Sequence, residues 1–133
     1  MNDELTYSLK EQIINIVGNG DYSLNSLCEL IGEVIQEAET LEKISILYDA
    51  SCATAERNNT EVRQFVSDVA SQWPGKIHCL ATVVSSENSY NLARLGSLYG
   101  KVKVCEVECY HDIKSAEQWI TEKIKILPNA AAD

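Results

Sequence analysis

The spacing of hydrophobic and polar positions changes along this chain, and the changes mark its elements. Residues 4–9 and 12–17 are short β-like runs, and Gln12-Ile13-Ile14-Asn15-Ile16-Val17 is the stronger of the two. Lys10-Glu11 between them reads as a tight hairpin turn, although it lacks the Asn-Gly or Asp-Gly pair typical of such turns. Gly18-Asn19-Gly20-Asp21 is a breaker. From about Ser23 the period becomes helical, with Leu24, Leu27, Cys28, Ile31, Ile35 and Ala38 on one face.

Lys43 to Asp49 reads as a buried strand, and a polar loop is expected from Ala50 to Asn59. Thr60 is a suitable N-cap for a second helix. Val62, Phe65, Val66, Val69, Ala70 and Trp73 form its apolar face, and Pro74-Gly75 stops it. Ile77 to Val84 is a near-continuous apolar run, as expected of a strand covered on both faces. Ser85-Ser86 caps a third helix with Leu92, Leu95, Gly96 and Tyr99 inward, and Gly100 stands where a C-terminal glycine is wanted. Val102 to Cys109 reads as a fifth strand. Asp112 then caps a last helix bearing Ile113, Ala116, Trp119, Ile120 and Ile124.

The order is β-β-α-β-α-β-α-β-α. Strict alternation after an opening hairpin predicts an α/β fold: a mixed, largely parallel five-stranded sheet with about four helices packed on it and right-handed crossovers. Residues 1–127 are expected to form a single domain, and 128–133 a flexible C-terminal tail.

Composition narrows the function classes. The 133 residues suffice to bury a real core without a metal or disulfide staple. A net charge of −9 disfavours nucleic acid, which is held by clustered Lys and Arg, and disfavours an anionic membrane surface. The acidity either keeps the domain soluble or forms an acidic face for a basic partner. No apolar stretch approaches the ~20 residues of a membrane span. Met1-Asn2-Asp3-Glu4 lacks the basic start of a secretory signal. The five cysteines show no disulfide framework and read as reduced thiols, so a cytoplasmic location is expected.

Three local features, in order, resemble the STAS domains, specifically the SpoIIAA-like group akin to bacterial anti-sigma-factor antagonists. They are Ile14-Asn15-Ile16-Val17-Gly18 turning into the first helix, Ile46-Leu47-Tyr48-Asp49 before a polar loop and a helix, and the closing run from Asp112 to Ile120. The resemblance implies a non-enzymatic regulatory or protein-interaction domain with a protein partner. In such antagonists a Ser or Thr in an Asp-Ser-Ser-Gly-like segment opening the second helix is phosphorylated. Here that stretch is Arg57-Asn58-Asn59-Thr60-Glu61, without the Asp and the Gly, and Thr60 is its only hydroxyl. The binding or regulatory candidates are accordingly Asp49, Ser51, Cys52, Asn59 and Thr60, around the loop 50–60.

Other chemistries are weakly signalled. Cys105 and Cys109, four residues apart on a strand, lie about 13 Å apart, too far for one disulfide or one metal ion. No catalytic residue, metal site or cofactor is assigned. His78 and Cys79 point to opposite faces, and His78 reads as a satisfied core or interface histidine. Gly18-Asn19-Gly20 is a poor dinucleotide fingerprint. Ser51, His78 and Asp49 make a triad only on paper, since no nucleophile elbow holds them. Asp49, Ser51 and Cys52 lie at the C-terminal end of a strand, where parallel sheets place ligands. The alternative to protein interaction is a small apolar-ligand or lipid-binding domain, with Tyr48, Tyr90 and Tyr99 near its pocket. Some SpoIIAA-like domains are similar in fold to lipid-exchange domains. Glu106 and Glu108 read as edge protection on the fifth strand.

Overall fold

The predicted order of elements is present in the computed structural model of the chain, which describes residues 4–10, 12–103 and 105–125. The strands are β1 (Glu4–Lys10), β2 (Ile13–Gly20), β3 (Ile44–Ala53), β4 (Ile77–Val83) and β5 (Glu106–Tyr110). The helices are α1 (Leu24–Glu37), α2 (Asn59–Gln72), α3 (Glu87–Lys103) and α4 (Ile113–Lys125). The proposed tail, 128–133, lies outside the described residues.

The sheet order is β1-β2-β3-β4-β5. β1 pairs antiparallel with β2, and every later pair is parallel. Each βαβ unit therefore adds its strand on the same side, and crossovers of one hand place α1, α2 and α3 on one face. Among the described residues no strand follows α4, which packs on the opposite face.

Two apolar layers result. Ile14, Ile16, Ile44, Ile46 and Ile77 meet Leu27, Ile31 and Val34 of α1 and Val69 of α2. Leu47, Cys79, Ala81 and Val83 meet Ala116 and Ile120 of α4. Each fully buried aliphatic side chain contributes roughly 1.5–3 kcal/mol. The switch of Ile77 and Cys79 to opposite layers, against strict alternation, comes from an irregularity in register. Ile44 pairs with Ile77 but Ser45 pairs with Cys79, which leaves His78 as the extra residue. Its Nε2 meets the carbonyl of Lys123 near the end of α4 at 3.0 Å, so His78 is a satisfied interface histidine.

Several boundaries differ from those expected. The segment Gly18-Asn19-Gly20 does not break the chain; β2 runs through it, and Asn19 and Gly20 pair with Cys52 and Ala53. β3 is consequently longer, so Ser51 and Cys52 belong to the strand rather than to a loop. α3 runs on to Lys103 through Gly100, whose missing side chain serves packing: a Cβ there would stand 3.2 Å from Val107. Val102 is accordingly helical, and β5 starts at Glu106.

Ser23, Ser86 and Asp112 cap α1, α3 and α4 through bonds from the amides of Ser26, Ser89 and Ser115. The cap of α2 is Asn58, not Thr60. Asn58 Oδ1 accepts from the amide of Glu61 at 2.8 Å, and the Asn58 amide donates to Glu61 Oε1 at 2.9 Å. Asn58 wins because Glu61 stands three residues on to complete a capping box; Thr60 would have Arg63 there, which cannot accept.

This assignment has a direct test. Asn58→Ala is expected to lower unfolding stability by about 1 kcal/mol in urea titrations, and Thr60→Ala by less than about 0.5 kcal/mol.

Candidate functional site

α3 is the helix least able to fill its share of the interior. The side it turns to the sheet is Ala93, Gly96, Ser97 and Gly100, one helical stripe of small residues. Leu98 is 56% exposed, and Leu95, 54% exposed, stands at the rim of the space beneath the helix. Of the expected inner face, Leu92 and Gly96 turn inward, whereas Tyr99 does not line that space. The reason is close approach: a Cβ on Gly96 would collide with Val62 of α2, and Gly100 lies against Val107 of β5. Larger residues on this stripe would push the helix away from both neighbours.

The space this leaves is a cavity of about 840 Å³ between the sheet and helices α2 and α3. Ile46, Tyr48, Leu80 and Thr82 line it from the sheet, and Phe65 and Leu92 from the helices. That volume lies in the range of small-molecule sites. The ends of β3 and β4, with Ala53 and Ser85, and the segment before α2 also line it, which puts one end at the carboxyl edge of the parallel strands.

A cluster of Tyr48, Tyr22 and Arg57 stands at that end. Gly18 makes it possible, because any Cβ there would occupy the place of the Tyr22 ring. Tyr22, held against β2, hydrogen-bonds through its hydroxyl to that of Tyr48 on β3. The Arg57 guanidinium lies over the Tyr22 ring, 4.9 Å from its centroid, as a cation–π contact. Its Nη2 is buried and has no hydrogen-bond partner. Burial pushes both phenols up from their ordinary values, and the positive charge of Arg57 pulls the other way. The two hydroxyls therefore remain neutral donors over the physiological range.

The residues singled out from the sequence sit beside this cavity rather than in its walls. Asp49 on β3 accepts from the Ser51 amide at 3.0 Å and from the Ser51 hydroxyl at 2.6 Å. Cys52 is an exposed free thiol. Asn59 and Thr60 are exposed in the first turn of α2. Asp49 pairs with Val83, five residues along β4 from His78, or about 16 Å, so Ser51, His78 and Asp49 do not assemble into a triad.

Of the tyrosines expected at the pocket, Tyr48 alone lines it. Tyr90 stacks on His111 at 4.2 Å, and Arg63 lies over Tyr99 at 5.2 Å. Burial pushes the thiol of Cys79 up, and that of Cys105 up to about 12, so both stay protonated and unreactive. Tyr22 and Arg57 were missed as site residues. The one sequence signal for them was Gly18 standing four residues before an aromatic.

A solved structure resembles this arrangement. It is an uncharacterised protein of the DUF3478 family from Shewanella loihica, described as having a SpoIIAA-like fold. The two share a TM-score of 0.61 and 11% identity, over 88% of this chain and 92% of that one. The fold is SpoIIAA-like. No family model matches the chain, and no curated protein does. The SpoIIAA-like fold agrees with the layout implied by the opening hairpin, the acid-ended strand and the closing helix. Among the described residues no helix is long and apolar enough to cross a membrane.

The tyrosine pair carries a pH dependence. A phenol raised in the folded state gives stability that is complete below its unfolded value, near 10, and is lost as pH rises above it. Stability should accordingly fall above about pH 10. Tyr48→Phe should flatten that fall, measured by urea midpoints from pH 8 to 11 (roughly the window set by the unfolded phenol).

Proposed function

We propose that this domain, spanning residues 1–127, binds a small apolar ligand in the cavity beneath α2 and α3. The supporting observation is the cavity itself. Its walls are mainly aliphatic with Tyr48 and Phe65, and among the described residues Glu56 and Arg57 supply their charges. A void of this size loses the contacts that its lining atoms would otherwise make, and that loss is recovered when an apolar molecule enters. No catalytic step is assigned to it. The role is that of a carrier or sensor.

A regulatory protein-interaction role is the second reading, favoured by the exposed Leu95 and Leu98 on α3 and by the accessible Thr60 on α2. A phosphate on Thr60 would meet the favourable end of the α2 dipole. Asp49, Ser51, Cys52 and Asn59 would then belong to the surface that a partner meets. The two roles are compatible if the ligand sets how α3 packs.

The cavity reading is tested with N-phenylnaphthylamine, a neutral probe that fluoresces in apolar surroundings. Saturable binding is expected. Ala93→Phe, which fills the cavity from α3, should weaken it at least about tenfold, since even one or two displaced methylenes cost 1–3 kcal/mol. Unchanged affinity in a variant with an unaltered circular dichroism spectrum would rule the cavity out as the binding site.

A further inference from the structure

Within the cavity reading, on which this inference rests, the walls decide what charge an occupant can carry. Arg57 offers nothing to an anion. Its Nη2 is buried, and its guanidinium already hydrogen-bonds the hydroxyls of Tyr22 and Tyr48. Glu56, the other charged residue along the wall, is solvent-exposed. A carboxylate or an ammonium carried inside would lose its water and find no counter-charge.

The neutral polar groups of the lining divide by position. Thr54, Ser85, Asn88 and Asn91 are exposed, at the carboxyl edge of the sheet and the start of α3, where water serves them. Further in, the Ser97 hydroxyl donates to the carbonyl of Ala93 at 2.8 Å, and the Tyr48 hydroxyl is engaged with Tyr22. Thr82 belongs to neither group. It stands on β4 as the pairing partner of Tyr48, and its side chain lines the cavity on the same side of the strand as Leu80. It is half-buried, and among the described residues no group hydrogen-bonds its hydroxyl. The aliphatic wall around it offers few further partners to a water molecule.

We infer that the cavity takes an uncharged molecule with one oxygen function, a hydroxyl or a ketone, hydrogen-bonded to Thr82 Oγ1, and a hydrocarbon body lying against Phe65, Leu80 and Leu92. Thr82 is then a specificity-determining residue. Its hydroxyl donates to a ketone, and donates to or accepts from an alcohol. A pure hydrocarbon would bury that hydroxyl unpaired, which disfavours it. Leu80 and Ile77 continue the wall beyond Thr82 over roughly 16 Å of strand, so an elongated body fits.

The test measures displacement of N-phenylnaphthylamine from the full chain, near neutral pH, by octanol, the methyl ketone of the same length, octane and octanoate, each below its solubility limit. Octanol should bind at least about tenfold more tightly than octanoate, whose charge finds no partner inside. Thr82→Val, which keeps the shape and removes the hydroxyl, should weaken the alcohol and the ketone on the order of 3- to 10-fold, the worth of one hydrogen bond. Octane should bind that variant no more weakly, and Thr82→Ser should retain the wild-type order of ligands. Undiminished binding of alcohol and ketone by Thr82→Val, with the probe still bound, overturns the role of Thr82 and leaves the cavity reading standing. Octanoate binding as tightly as octanol in the wild-type protein overturns the neutral class without recourse to any variant. Failure of all four ligands and of the probe overturns both the inference and the cavity reading.

Discussion

Gly18 has no side chain, and the upper half of this molecule is arranged around that fact. The ring of Tyr22 occupies the space where a Cβ would stand, so the turn from β2 into α1 lies flat against the sheet. From there its hydroxyl reaches Tyr48 on the neighbouring strand and its face receives Arg57 from the segment before α2. Three parts of the chain far apart in sequence are brought together by one short contact. The same region lets β2 run on through Asn19 and Gly20, which lengthens β3 and carries Ser51 and Cys52 into the sheet. The approach of Arg57 and the position of the phenols thus follow from a single steric allowance.

A second constraint acts at the other side of the cavity. The sheet grows in one direction, so three helices share one face, and they do not fill it equally. α1 brings Leu27, Ile31 and Val34 and packs densely on Ile14, Ile16 and Ile46. α3 brings small residues and gains closeness to α2 and β5 at the expense of volume beneath it. The hollow part lies over β3 and β4, against Ile46, Tyr48, Leu80 and Thr82, and reaches Val107 of β5. The polar cluster around Arg57 sits at one end of it.

Much of the architecture was legible in the sequence because its signals were local. The alternation in β2, the apolar run of β4 and the helical faces of α1, α2 and α4 each follow from neighbours a few residues apart. Where several local signals competed, the weaker one misled. Thr60 is a good cap in isolation, but Asn58 has Glu61 at the distance that closes a reciprocal pair. Gly100 resembles a helix stop, but its role is contact with Val107. The inner face of α3 was legible at Leu92 and Gly96 but not at Leu95, half-exposed at the rim, or at Tyr99, because tight contact with α2 and β5 selected the side with small residues. The site was the least legible part. Asp49 and Ser51 attracted notice as a polar pair at a strand end, and they bond chiefly to each other. Tyr22 and Arg57 have no pattern linking them in sequence; tertiary contact alone makes them neighbours.

The glycine-mediated seating of α3 also bears on how the molecule moves. Local opening costs least where few apolar side chains must be exposed. α1 would have to withdraw Leu27, Ile31 and Val34, whereas α3 would expose Leu92 together with alanine, glycine and serine. The part of the wall most easily displaced is therefore the part that covers the empty space. Leu95 and Leu98 stand on the same helix as Leu92, so a bulky occupant that displaced α3 would also change the apolar surface the domain presents.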